Sequence, residues 1–351
     1  MSNDWRLIDA DVHVEIPKVE ALFPYLAEHW VEHIKLSRFK GPAEVDRVYP
    51  PRSPVAERPG SRPPVGPAGS DLDYVRQQVL EEPNTELAIL NCAYAIESVH
   101  HPDAAAALAS AVNDWLVTEW LEKDSRLRAS LVVPSQLPEL AAREIDRVGD
   151  HPGFVQVYLP VRAQHPYGSR LFRPMWDAIA RHNLVAGIHF GGAPGNPPTP
   201  SGWPTYYLEE YAGMAHVFAS QVTSLISEGV FDAWPSMRVT LIEGGWTWLP
   251  AHMWRIDKEW RNLRMIVPWV KRPPSEYIRE HIRLTIQPID APGKIQQLHE
   301  VMDQLDSDEL LLYASDYPHV HHADPRELLG TLTPDRAAKI AADNARAWYH
   351  I

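Results

Sequence analysis

The chain has 351 residues, 45% of them hydrophobic, and a formal net charge of −13, so it can bury a large core but lacks the basic excess that nucleic-acid partners require. Its single cysteine, Cys92, excludes an intramolecular disulfide and a cysteine-rich metal site, and we expect a reducing, cytoplasmic location. The N-terminus is polar and no apolar run approaches the roughly 18 residues of a membrane span, which predicts that the chain has no membrane partner.

Eight short segments with strand-like patterns recur along the chain, separated by helical or irregular stretches. Several are nearly continuous apolar runs, such as LAILNC and RVTLIE, which are typical of parallel strands covered on both faces. The alternation predicts an α/β fold, and one (β/α)₈ TIM barrel over residues 1–351 fits because a bare barrel needs roughly 250 residues. The predicted strands are 7–13, 86–92, 128–134, 154–160, 184–190, 238–245, 283–288 and 310–318.

The clearest helical pattern covers residues 103–123, which are rich in alanine and carry apolar residues at three- and four-residue spacing. A last helix is expected to start at Pro334, with Thr333 as its capping residue, and to run to the C-terminus. Residues 38–69, between the first two strands, are rich in proline and glycine and predict an inserted loop. Such a loop lies at the catalytic face of a barrel, where it can cover the site as a lid, form a subunit contact, or remain a surface excursion.

Polar residues end three of the predicted strands: Asp11 and His13 the first, His189 the fifth and Asp316 the eighth. In a closed barrel these strand ends border one mouth, so the side chains can converge on one ion. Residues i and i+2 share a strand face, which directs Asp11 and His13 together toward the barrel axis, and Glu15 has the same parity. One such histidine alone more often makes an ordinary hydrogen bond, but the joint placement predicts a zinc, iron, manganese or cobalt site.

Five motifs together resemble the amidohydrolase-related family that includes aminocarboxymuconate-semialdehyde and resorcylate decarboxylases. They are DADVHVE, GIHFGG, LIEGGWTWLP, LLYASDYPH and DNARAWY, and they span nearly the whole chain. The resemblance implies metal ligation by Asp11, His13, His189 and Asp316. The chain departs from the usual pattern at Asp11, where a histidine commonly stands.

The sixth strand carries a second departure, because Glu243 occupies the position where some members place an acid/base histidine. Glu243 could move protons or bind a second ion together with Glu15, and pairing with an arginine is the structural alternative. The fourth strand contains no lysine, so we do not expect a dimetal centre bridged by a carboxylated lysine. One ion is the expectation, and two remain open.

Four further residues are candidates for contact with a small-molecule substrate at the mouth: Tyr158, Trp246, Gln287 and His319. Tyr158 could equally fill the core. The loop histidines His321 and His322 offer ligands for a second ion, although such residues are more often solvated.

The leading hypothesis is a metal-dependent hydrolase or non-oxidative decarboxylase for a small organic acid, amide or lactone, in which Glu243 and Asp316 move protons. One alternative is a dinuclear iron or manganese monooxygenase on the same barrel. Another is a non-catalytic barrel that supports a homologous active subunit. We expect a homodimer, or pairing with a homologous barrel.

Overall fold

The computed structural model describes residues 5–42 and 56–351, and its centre is a sheet of eight parallel strands in chain order. Each strand pairs with the next one along the chain, which gives seven parallel pairs. The strands are Leu7–His13 (β1), Thr85–Asn91 (β2), Leu127–Val132 (β3), Phe154–Pro160 (β4), Val185–His189 (β5), Arg238–Ile242 (β6), Ile282–Thr285 (β7) and Leu311–Leu312 (β8).

Backbone hydrogen bonds between the last strand segment and the first close the sheet into a barrel. The Ala10 amide donates to the Tyr313 carbonyl at 3.0 Å, and the His13 amide donates to the Tyr317 carbonyl at 2.7 Å. Helices separate the successive strands, as parallel pairing requires. The predicted (β/α)₈ barrel is therefore confirmed.

Helices of very different length form the outer layer of the described residues. They are Glu28–Ser37 (α1), Leu72–Val75 (α2), Pro102–Leu116 (α3), Pro138–Val148 (α4), Arg173–Arg181 (α5), Tyr207–Ser227 (α6), Val230–Ala233 (α7), Leu249–Leu263 (α8), Pro274–His281 (α9), Ile295–Gln304 (α10), Pro325–Leu329 (α11), Pro334–Ala338 (α12) and Asn344–Tyr349 (α13). No helix in the described part of the chain is both long and apolar enough to cross a bilayer.

Two predicted helices lie where the sequence placed them, but the end of one and the capping of the other differ from the prediction. The helix predicted over 103–123 is α3, which continues as the π-helical turn Val117–Leu121. The last helical region starts at Pro334 as predicted, but the Thr333 side chain forms no capping hydrogen bond. The Thr333 backbone is extended, and the start of the helix is set by this backbone conformation and by Pro334 at the first helical position.

β6 and β8 are among the strands that end earlier than predicted, and a non-glycine residue with positive φ lies beyond the end of each. β6 stops at Ile242, and Glu243 follows with a φ of 61°. β8 stops at Leu312, and Asp316 has a φ of 54°. Non-glycine residues with positive φ are uncommon, and an apolar sequence pattern does not reveal them.

Large side chains plug the lower end of the barrel, the end where the strands begin. Ile8, Ala10 and Val185 pack there against Trp348 and Tyr349 of α13. The interior is thus a packed core at the bottom, and polar side chains collect at the opposite end, where the strands finish.

The proline-rich insertion predicted over 38–69 is described only in part, since residues 43–55 lie outside the described ranges. Its later part runs beside the segment that follows β8. The Arg58 amide donates to the Pro318 carbonyl at 2.8 Å, and the Arg58 Nε donates to the His319 carbonyl at 2.9 Å. The insertion therefore reaches the mouth of the barrel, and its role as a lid or as a subunit contact stays a prediction.

Candidate metal centre

Six side chains with nitrogen or oxygen donors converge at the mouth of the barrel. Their donor atoms form two overlapping groups, and within each group all the atoms lie within 4.8 Å of one another. The first group is Asp11, His13, His189 and Glu243, and the second is His13, Glu243, Asp316 and His319. The structure thus brings together all four residues predicted from the sequence as metal ligands, and their ligand role stays a prediction.

The spacing within the cluster suits side chains that share a cation. His13 Nε2 lies 2.9 Å from Asp316 Oδ1 and 3.6 Å from Asp11 Oδ1, while His189 Nε2 lies 3.3 Å from Asp11 Oδ1. Two ligand atoms about 2.1 Å from one ion, at a right angle, are about 3 Å apart. The pairing of β1 with β2 shifts register between Asp9 and Val12, the stretch that contains Asp11.

Two buried atoms of the cluster have no hydrogen-bond partner among the described residues, which is the strongest sign that the cluster fits a metal ion. Asp11 Oδ2 and His13 Nε2 are both unsatisfied, and His13 Nε2 is not aligned for a hydrogen bond with the nearby Asp316 oxygen. Leaving such atoms buried and unpaired costs about 1–3 kcal/mol each, more when they are charged. A divalent cation between them would satisfy both.

The orientation of the His189 ring also suits a metal ion in this cluster. Its Nδ1 lies 2.9 Å from the Phe190 carbonyl oxygen, which can only accept, so Nδ1 carries a proton and Nε2 is the ring nitrogen that faces Asp11 and would coordinate an ion. A backbone partner of this kind is the usual way to fix a metal-binding imidazole. Without a metal, burial lowers the pKa of His189, but the Asp11 charge and hydrogen bond outweigh it and raise the pKa to about 9.

Glu243 and Asp316 both occupy left-handed backbone conformations, which cost about 1–3 kcal/mol each and occur most often at functional sites. Glu243 is held by its amide, which donates to Thr285 Oγ1 at 3.0 Å. A Cβ on the following Gly244 would lie only 2.7 Å from Phe218 of α6. The turn after β6 therefore depends on close packing against α6.

The two carboxyl groups differ in their affinity for a proton. Burial, with repulsion from Asp316, raises the pKa of Glu243 to about 8. Burial also tends to raise the pKa of Asp316, but the His319 charge and contacts with neighbouring histidines bring it well below its usual range. One carboxyl group can therefore carry a proton near neutral pH while the other stays ionised, a division found in acid/base sites.

The arginine pairing considered for Glu243 does not occur within the described residues. Its ion-pair neighbours there are His13 at 4.0 Å and His189 at 3.9 Å. The Tyr211 hydroxyl donates to Glu243 Oε1 at 3.4 Å. Glu243 thus faces the metal cluster.

Two of the four predicted substrate contacts border the cluster. The Tyr158 ring lies 5.3 Å from the His189 ring, and burial raises the pKa of Tyr158 well above its usual value, so it stays a neutral phenol. His319 Nδ1 is 2.9 Å from Asp316 Oδ1, and its side chain is 39% exposed, which leaves one face of the ring accessible. His319 therefore lies between the cluster and the entrance.

The other two predicted contacts, Trp246 and Gln287, have different surroundings. Trp246 is completely buried in the main hydrophobic core. The Gln287 side chain donates to the Ala323 carbonyl at 3.1 Å and accepts from the Ile289 amide at 2.9 Å, so it ties together the loops after β7 and β8. Their roles in substrate binding stay predictions.

Glu15, the second candidate ligand for a further ion, belongs to neither group of donor atoms formed by the described residues. Its amide donates to the Gly69 carbonyl at 3.0 Å, within the inserted segment. Its role also stays a prediction.

Two residues at the site, Asn91 and Tyr211, were not assigned a role from the sequence, and a third, His321, has a contact that was not expected. Asn91, at the end of β2, donates to Asp11 Oδ1 at 2.8 Å, and the strand-end criterion that selected His189 would have found it. His321 Nε2 lies 2.5 Å from Asp316 Oδ2, whereas the sequence indicated it only as a loop histidine that could bind a second ion. Tyr211 lies inside α6, away from any strand end, so nothing in the pattern indicated it.

Comparison with known proteins identifies the family of the chain and relatives that share its fold. The family model described as amidohydrolase matches residues 8–351. Gamma-resorcylate decarboxylase of Rhodococcus jostii (strain RHA1) is 27% identical over 274 residues, which cover 72% of this chain and 80% of that protein.

Two solved structures show the same fold over nearly their whole length. One is 5-carboxyvanillate decarboxylase of Novosphingobium aromaticivorans DSM 12444, complexed with manganese and 4-hydroxy-3-methoxy-5-nitrobenzoic acid. Its TM-score is 0.75 at 18% sequence identity, and the match covers 100% of this chain and 98% of that one. The other is dihydroxybenzoic acid decarboxylase of Polaromonas sp. JS666 with bound manganese and 2-nitroresorcinol, with a TM-score of 0.69, 22% identity and coverage of 98% and 97%. Since the family model spans all eight strands and the residues that converge at the barrel mouth, the chain belongs to the amidohydrolase family.

Proposed function

We propose that this protein is a metal-dependent decarboxylase that removes CO₂ from a small aromatic hydroxy acid without oxidation. The observation that carries the proposal is the cluster of three histidines and three carboxylates, in which Asp11 Oδ2 and His13 Nε2 are buried and have no hydrogen-bond partner in the described part of the chain. Relatives named as decarboxylases of resorcylate and carboxyvanillate support the choice of reaction over hydrolysis.

One divalent ion would be held by Asp11, His13, His189 and Asp316. We favour manganese because two structural neighbours contain it, and zinc and iron remain compatible with these ligands. The chemistry that such an ion supplies is electrostatic, since it attracts the carboxylate of the substrate and stabilises negative charge that develops on oxygen.

Glu243 is the residue that we assign to the proton transfer. In the reaction the bond between the ring carbon and the carboxylate breaks, its electron pair remains on the carbon, and that carbon takes up a proton as CO₂ leaves. Because the pKa of Glu243 is raised to about 8 by burial, its carboxyl group can hold this proton at neutral pH. Solvent would then return a proton to Glu243.

Aromatic side chains beside the cluster favour a flat, apolar substrate. The Tyr211 ring lies 5.1 Å from the Phe190 ring and stacks at 5.6 Å on Tyr207. Tyr211 also contacts Glu243, so this aromatic wall adjoins the proton donor. Such rings bind another aromatic ring by stacking or by edge contacts, typically worth about 0.5–1.5 kcal/mol per pair.

The test is release of labelled CO₂ from hydroxybenzoates that carry ¹³C in the carboxyl group, among them 2,6-dihydroxybenzoate and 5-carboxyvanillate, with manganese-loaded protein under nitrogen. Aryl amides and lactones serve as hydrolysis substrates. Release of ¹³CO₂ that is lost in Asp316→Asn and kept in Asp257→Asn, a carboxylate that bonds Ser275 away from the site, supports the proposal. Turnover of the amides or lactones alone would contradict it.

A dinuclear monooxygenase is the second candidate, and one observation favours it. The second group of donor atoms includes His319 and shares His13 and Glu243 with the first, so six side chains are available for two ions. About two ions per chain, including iron, together with O₂ uptake that depends on substrate, would support this candidate over the decarboxylase.

The homodimer and the cytoplasmic location predicted from the sequence are also retained as proposals. Light scattering on the purified protein tests the first, and fractionation of the source cells tests the second.

A further inference from the structure

A hydrogen-bonded chain of buried side chains runs through the barrel interior from Asp11 to the C-terminal helix. Asn91 Nδ2 donates to Asp11 Oδ1 at 2.8 Å, and Asn91 Oδ1 contacts Ser130 Oγ and also accepts from Gln156 Nε2 at 3.3 Å. Gln156 Nε2 donates to Ser130 Oγ at 2.6 Å, and Gln156 Oε1 accepts from the Tyr349 hydroxyl at 3.1 Å. The first four of these residues are completely buried and Tyr349 is almost so.

The chemistry of the groups gives this chain a direction. An amide oxygen only accepts and an amide nitrogen only donates, so the Tyr349 hydroxyl donates to Gln156 and the Gln156 nitrogen donates toward Ser130 and Asn91. These donors occupy Asn91 Oδ1 and leave Asn91 Nδ2 to face Asp11. A flipped Asn91 amide would place its oxygen against the carboxylate and break the contacts with Ser130 and Gln156.

The far end of the chain is anchored in the packed bottom of the barrel. The Tyr349 hydroxyl lies 3.1 Å from Thr240 Oγ1, whose own proton can go to the Tyr349 oxygen, and Thr240 Oγ1 accepts from Trp348 Nε1 at 3.0 Å. Both aromatic residues belong to α13 and pack within the lower core. The orientation of Asn91 is therefore coupled to the docking of the C-terminal helix.

We propose that Asn91 is a positioning residue that, oriented by Gln156 and Tyr349, fixes the Asp11 carboxyl group as a metal ligand. The Asn91 bond holds Asp11 through Oδ1, and Oδ2 stays buried without a hydrogen-bond partner in residues 5–42 and 56–351, available to a cation. Asn91 itself does not touch the substrate or the ion. The inference rests on the metal site put forward in the proposed function.

If the hydrogen-bonded chain had only a structural role, its disruption would have a different effect on metal affinity. If the chain only satisfies polar groups in the core, breaking it lowers stability and leaves the affinity of the remaining site for metal unchanged. If it positions Asp11, the affinity for metal falls as well, since loss of a partner that orients a metal ligand typically weakens binding about 10–100-fold. Metal affinity separates the two roles independently of turnover.

The experiment measures the dissociation constant of Mn²⁺ from the electron paramagnetic resonance signal of the free ion, for wild type, Asn91→Ala and Tyr349→Phe. Asn113→Ala and Tyr277→Phe are matched controls, because these residues bond Glu144 and Asp232 and take no part in the chain. We expect Asn91→Ala to bind Mn²⁺ about 10–100-fold more weakly, Tyr349→Phe to be intermediate, and both controls to match wild type.

The conservative Tyr349→Phe keeps the ring in the core, so it decides the question even if Asn91→Ala fails to fold. Wild-type affinity in folded Tyr349→Phe, or an equal loss of affinity in the two controls, would overturn the inference. Absence of Mn²⁺ binding by wild type would instead refute the proposed metal site itself, which keeps the two failures distinguishable.

Discussion

Replacing His189 by alanine should abolish the thermal stabilisation that Mn²⁺ gives to the wild-type protein. An ion that binds only the folded state at 100 times its dissociation constant stabilises that state by about 2.7 kcal/mol. The unfolding entropy of 351 residues is about 0.7 kcal/mol/K, from roughly 2.1 cal/mol/K per residue. The melting temperature of the wild type should therefore rise by about 4 °C, and by about 2 °C more for each further tenfold increase in the Mn²⁺ concentration.

The assay is a Mn²⁺ titration followed by scanning fluorimetry. His281→Ala is the matched control, because His281 is also buried but bonds the Met237 carbonyl outside the cluster. We expect it to melt at a lower temperature and to keep the full Mn²⁺-dependent rise. A rise of wild-type size in His189→Ala would refute the placement of the ion at this site.

Three further predictions concern the proton donor, the turn behind it and a distant ion pair. Glu243→Gln should keep Mn²⁺ binding and lose about 10²–10⁴-fold in kcat for CO₂ release, whereas unchanged kcat would exclude Glu243 as the donor. Gly244→Ala should lower the free energy of unfolding in urea by about 1–3 kcal/mol, because its Cβ would lie 2.7 Å from Phe218, and wild-type stability would contradict the close packing. The hydrogen bond from Arg126 lowers the pKa of Asp124 from 3.8 to about 2, so its contribution to stability is present above pH 3.8 and is lost as the pH falls through 2. Asp124→Asn should accordingly melt below wild type at pH 5–7 by a margin that narrows toward pH 2, and a margin independent of pH would contradict this assignment.

The strand order and the convergence of the predicted ligands followed from local rules. Apolar runs located all eight strands, and polar residues at the strand ends, such as His13 and His189, met at the mouth because closure of the barrel brings those ends together. The rule needs only strand positions and side-chain alternation, and both are encoded over a few neighbouring residues.

What could not be predicted depends on contacts between distant segments. Tyr211 reaches Glu243 only because α6 packs over the turn after β6, and no local pattern encodes that packing. β6 ends where Glu243 adopts a positive φ, and Asp316, beyond the end of β8, has a positive φ as well; only the surrounding structure can stabilise such conformations. The link from Asn91 to Tyr349 joins residues far apart in the sequence.

The most direct test of the central claim is the product formed by manganese-loaded protein from a hydroxybenzoate substrate in D₂O under nitrogen, analysed by NMR and mass spectrometry. The proposed mechanism predicts a phenol with one deuterium at the carbon that carried the carboxylate, with no O₂ required. A hydroxylated product that forms only when O₂ is admitted, or unchanged substrate across the panel, would contradict the assignment as a non-oxidative decarboxylase.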